Sequence, residues 1–105
     1  MSISYVQEKL WQAVDTLVGG GTIQDRLAYA AEYLIRVKVD EIPDSRRAEF
    51  GAVMDSLTKH PAKVVGEGSI RASVRKLTDE EGAGLARKIL SIYIDVSDLV
   101  RVSAA

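Results

Sequence analysis

Cysteine is absent from this 105-residue chain. That absence excludes disulfides, thiolate metal sites and cysteine nucleophiles together. It also fits a reducing compartment, so a cytoplasmic location is the expectation. Histidine occurs once, as His60, in a predicted loop beside Pro61. A lone histidine without cysteine does not assemble the nitrogen and sulfur sets that hold zinc. It serves as a general base only beside a positioned nucleophile, so a solvated loop histidine is expected. No apolar run approaches the roughly 18 residues of a membrane-crossing helix. The stretch Met1–Tyr5 lacks the basic and apolar regions of a signal peptide, so no membrane partner is expected. Gly-x-Ser-x-Gly, Walker, His-Glu-x-x-His and EF-hand patterns are missing, as are the Glu-x-x-His pairs of di-metal bundles. The expectation is therefore no catalytic constellation, no metal and no cofactor.

What is present is an ordinary balance, 47% hydrophobic and 28% charged, which suits one folded domain over residues 1–105. Apolar residues recur at helical spacing along most of the chain. Ile3, Val6, Leu10, Ala13, Val14 and Leu17 define a first helix over about residues 4–18, with Trp11 and Val18 at its edge and Tyr5 on the far side. Gly19–Gly21 stop it. Thr22 reads as an N-cap, with Asp25 placed to return the hydrogen bond. A second helix is predicted to run to Val39, its core face made by Ile23, Leu27, Ala30, Ala31, Leu34 and Val37. Tyr29 and Tyr33 stand together beside that face.

Pro43 suits the first turn of a third helix, whose buried stripe is Phe50, Val53, Met54 and Leu57. Arg46, Arg47 and Glu49 read as its solvated flank. Pro61 ends that region, and residues 59–68 form the one substantial loop. Ser69 reads as the cap of a short fourth helix over residues 70–77. Thr78 caps a fifth over residues 79–102, with Glu81 at the third position and acids facing the positive end of the helix dipole. No stretch alternates with strand periodicity. The predicted fold is all-α, a compact antiparallel bundle of four long helices plus one short helix. Leu10, Val14, Leu17, Leu27, Leu34, Phe50, Leu57, Leu85, Ile89 and Val96 are its expected centre.

Two helices carry more apolar surface than one core contact needs. On the fifth, Leu85, Ile89, Ile92, Tyr93, Val96, Leu99 and Val100 share one side. Ala83, Leu90 and Ile94 form a second stripe roughly 80–160° away. On the second helix Ala28, Ile35 and Val39 lie off the core face in the same way. These six residues are the candidate interface, and the leading expectation is a non-enzymatic protein acting through protein–protein contacts, with itself as a homodimer partner.

Charge supplies two alternatives. The net charge is −1, but residues 59–77 carry five basic groups and one acidic group. Lys63, Arg71, Arg75 and Lys76 give a nucleic-acid-associated regulator as the first alternative. The acidic run Asp79–Glu81 speaks against helix-turn-helix recognition, because it sits where a recognition helix would meet phosphates. Gly68 and Ser69, ahead of a helix and near Lys63 and Arg71, give phosphate or other anion binding as the second.

Overall fold

The computed structural model describes residues 3–62 and 68–104. The protein is all-α, and no strand occurs among the described residues. Helix α1 spans Ile3–Leu17, α2 Ile23–Leu34, α3 Arg47–Thr58, α4 Gly68–Val74 and α5 Asp79–Ala104. Single 3-10 turns at Val39–Glu41 and Asp44–Arg46 link α2 to α3. α1 packs most extensively on α2 and α5, while α4 lies against α3 and α2.

Two of the three predicted N-caps form, those at Thr22 and Thr78. The Asp25 N–H donates to Thr22 Oγ1 at 3.0 Å, opening α2. At α5 the box is reciprocal: the Glu81 N–H donates to Thr78 Oγ1 at 3.1 Å, and the Thr78 N–H donates to Glu81 Oε1 at 2.9 Å. Just before Thr22, Gly21 takes φ +98°, a left-handed value that glycine adopts without steric cost.

α2 ends five residues before the predicted Val39. Ile35, Val37 and Val39 are β-branched, which weakens a helix. The last turn tightens, with Arg36 N–H donating to Tyr33 O and Val37 N–H to Leu34 O. Glu41 Oε1 then accepts from Lys38 N–H at 2.8 Å, restarting the chain as a 3-10 turn. The break lets Val37 and Ile42 both enter the core. α3 begins at Arg47, so Pro43 precedes the 3-10 turn and does not sit in the first turn of α3.

Nine of the ten expected central residues are buried, and Val14 is half-buried against them. Each large apolar side chain so buried contributes roughly 1.5–3 kcal/mol. Gly82 fixes how closely α5 approaches α2. A Cβ there would lie 3.0 Å and 3.1 Å from the Ile23 side chain and 3.3 Å from Leu27. The arginines expected as solvated flank hold the α2–α3 link in place. Arg46 pairs with Asp95 of α5, with Glu49 at 2.6 Å, and donates to Ser91 Oγ at 3.2 Å. The hydrogen bond to Asp95, and after it that to Glu49, raises the guanidinium above its ordinary pKa. Arg47 donates to the carbonyls of Ile42 and Asp40, each at 2.7 Å.

Candidate self-association surface and basic cleft

α1 and α5 meet along a seam whose register two contacts fix. Gln7 Nε2 donates to Ser97 Oγ at 3.4 Å. Ten residues further along α1, Leu17 shares a cavity of about 540 Å³ with Ala83 and Ala86. Moving from Gln7 to Leu17 on α1 therefore means moving from Ser97 back to Ala83 on α5. Trp11 stands level with Ile94 and Leu90. Angular position agrees with axial position. At 100° per residue, Trp11 lies about 100° from Leu10, on the same side of α1 as Gln7. Leu90 and Ile94 lie about 100° and 140° from Ile89, on the side of α5 that carries Ser97.

All three are exposed: Trp11 at 51%, Leu90 at 43% and Ile94 at 49%. They make an apolar rim above the α1–α5 seam. Its α1 edge is acidic, and its α5 edge carries two arginines and one aspartate. Glu8 and Asp15 lie three residues before and four after Trp11, and both are exposed. Arg87 lies three residues before Leu90, and Arg101 seven after Ile94; both are exposed, and Arg101 pairs with the exposed Asp98 of the same edge at 3.0 Å.

The predicted stripes fare differently. Ala28 is only 4% exposed, which takes it out of the candidate interface. The start of α4 covers it: Gly68, Ser69, Ile70 and Arg71 line a small cavity with Ala28 and Glu32. Ile35, at 56%, and Val39 remain exposed beyond the end of α2. Ala83 is half-buried in the cavity at one end of the seam. The stripe of α2 thus borders α4 and that of α5 borders α1, so the six predicted residues do not form one surface. Trp11, read from sequence as a helix edge, belongs to the α5 group. Only the register of α1 on α5 brings it there.

The basic segment divides as well. Lys63 lies outside the described residues. Arg71 pairs with Asp25 at 2.8 Å and stacks over the Tyr29 ring, 4.9 Å from its centroid. The Asp25 hydrogen bond raises the Arg71 guanidinium above its ordinary pKa. Asp25 therefore meets Arg71, and the box predicted at Thr22 is only half made. α4 starts at Gly68, so Ser69 lies inside the helix and is not its cap. Glu32 faces that same cavity, where an anion would meet a like charge. Arg75 lines a separate cavity with Asp25 and Arg71, on the α2 side of α4. Lys76 turns the other way.

That other side is a cleft of about 290 Å³ between α3, α4 and α5. Lys59, His60, Lys76 and Lys88 line it, with Ser56, Ser73 and Glu81. His60 is half-buried here rather than solvated, and its backbone N–H donates to Ser73 Oγ at 2.9 Å. Glu81 is held below the usual carboxylate range, first by hydrogen bonding from the Thr78 backbone, then by the Thr78 hydroxyl and the charge of Lys59. Lys88 carried no signal in the sequence, because Lys59 and Lys76 join it only through the packing of α5 on α3 and α4. Among the described residues no cluster of His, Asp and Glu could hold a metal ion, and no helix is long and apolar enough to cross a membrane. The chain matches no family model, no curated protein and no solved structure.

Proposed function

We propose that this is a non-catalytic helical protein that acts through protein–protein contacts, and that its partner is a second copy of itself. The observation that carries the reading is the exposed apolar rim of Trp11, Leu90 and Ile94, with the acids Glu8 and Asp15 on its α1 side and Arg87 on its α5 side. Such a surface is self-complementary. A two-fold axis running along the seam sets α1 of one protomer over α5 of the other. The apolar rims then meet, and the acidic side of α1 faces Arg87 of the second copy, Arg101 being paired with Asp98 in its own chain. An isologous contact of this kind closes after two subunits. The apolar centre supplies affinity, while the charged edges set register and speed encounter. A nucleic-acid role gains no support from the geometry, since Arg71 is engaged with Asp25 and Tyr29, and Arg75 and Lys76 lie on opposite sides of α4.

Light scattering at low micromolar concentration tests this. The expected mass is twice the 11.4 kDa of one chain. The double variant Leu90→Lys/Ile94→Lys should scatter as a single chain while keeping its helical circular dichroism. A wild type that stays monomeric at high concentration would overturn the reading, as would a double variant that still dimerises.

A further inference from the structure

The cleft between α3, α4 and α5 joins features that the dimer reading leaves unused. Three lysines, Lys59, Lys76 and Lys88, line it from three separate segments of chain. One carboxylate, Glu81, is also present, and its Oε1 already accepts the Thr78 N–H. The three lysines and Glu81 together carry a side-chain charge of +2. Like charges brought together by folding repel, and their proximity is relieved when an anion sits among them. The polar lining suits an anion too. Ser73 is only 1% exposed, and because its oxygen accepts from His60 N–H, its own O–H is left to donate. Ser56 adds a second hydroxyl. Leu77 and Leu85 form an apolar wall, which lowers the local dielectric and strengthens each charged contact.

The cleft is half open to solvent and about 290 Å³ in volume, with room for more than a single phosphate. A diphosphate reaches further between lysines on three segments of chain and brings at least two negative charges, matching the net charge of those lysines and Glu81.

We infer that the Lys59–Lys76–Lys88 cleft is a binding site for a diphosphate group, with the lysines and the Ser73 hydroxyl as its donors. The group is either free diphosphate or the diphosphate end of a larger molecule. The site is independent of the α1–α5 rim.

The test is thermal melting of the full chain with inorganic pyrophosphate at constant ionic strength, where general screening is the same in every sample. The expected result is a saturable rise of about 5 °C, with orthophosphate giving less at equal concentration. Lys76→Gln and Lys88→Gln should each weaken the midpoint about tenfold, the size of one charge-assisted contact. Both residues are exposed, so both variants stay folded. Adenosine diphosphate separates the two sources. An equal shift assigns the site to a terminal diphosphate, and no shift beside a pyrophosphate response assigns it to the free ion. A shift that fails to saturate, or one that both lysine variants leave unchanged, overturns the inference. Repeating the titration on Leu90→Lys/Ile94→Lys keeps this result separate from the fate of the dimer.

Discussion

α2 and α5 begin with the same device and carry the same excess, yet the fold treats them differently. Each opens on a threonine cap followed three residues later by an acid, and each has an apolar stripe beyond its core face. On α2 the acid and the first residue of the stripe are used within the protomer, while Ile35 and Val39 stay exposed. The Asp25 carboxylate leaves the cap to bind Arg71, and Ala28 lies beneath the start of α4. On α5 both stay local. Glu81 remains in its capping box, and Leu90 and Ile94 have no helix over them. The difference is α4. Its first residues lie by Ala28 and Glu32, and its last residue Val74, with Arg75 just beyond it, lies by Gln24 and Asp25. It therefore runs back toward the start of α2 and stops short of Ile35. A second apolar stripe is thus ambiguous by itself. A short helix covers small residues such as alanine at close range, while Leu90, Ile94 and Ile35 stay exposed.

The largest expected effect comes from placing one charge on each stripe. Ala28→Lys forces an ammonium and its stem under α4, and should cost about 3 kcal/mol or more in urea unfolding. Leu90→Lys places the same group in water and should change the stability of the monomer by no more than about 0.5 kcal/mol. Equal losses in the two variants would erase the contrast and put Leu90 in the core.

A smaller effect is expected from the tie that holds α4 down. Arg71→Ala removes an ion pair to Asp25 and the stacking on Tyr29. Both groups of the pair are partly exposed, which limits the loss to about 1 kcal/mol. In a domain of this size that lowers Tm by roughly 4–8 °C. The difference should shrink in high salt, where the pair is screened but the stacking persists. A variant with the wild-type Tm would show that α4 is held by its buried residues Ala72, Ser73 and Val74 without help from Arg71.

The helices, their caps and most of the core were legible because each depends on residues within a few positions of one another. Leu10, Leu27, Phe50 and Ile89 follow from spacing, and Thr78 with Glu81 from a four-residue pattern. The end of α2 was not legible, because no glycine or proline marks it and Val37 and Val39 keep the helical rhythm. The roles of Arg46, Trp11 and Lys88 were not legible either. Each depends on a neighbour far along the chain: Asp95 for Arg46, Leu90 and Ile94 for Trp11, Lys59 for Lys88. The candidate interface was half visible, since the stripes can be read from sequence but which one a short helix covers cannot.

The smallest effect separates the two caps by pH. Glu81 has its folded pKa below the ordinary carboxylate value, chiefly through hydrogen bonding from the Thr78 backbone. A depressed carboxylate contributes stability that is fully present above its unfolded pKa and is lost as pH falls through the folded one. Glu81→Gln keeps a side chain able to accept from Thr78 N–H but removes the charge. The Tm gap between wild type and Glu81→Gln should therefore be constant near neutrality, narrow below about pH 4.3, and close once the native carboxylate is protonated. Lys59→Gln should narrow the gap at neutral pH, because Lys59 contributes to the same depression. A gap that does not vary with pH would mean that the cap of α5 acts by geometry alone, as the hydroxyl of Thr22 does at α2.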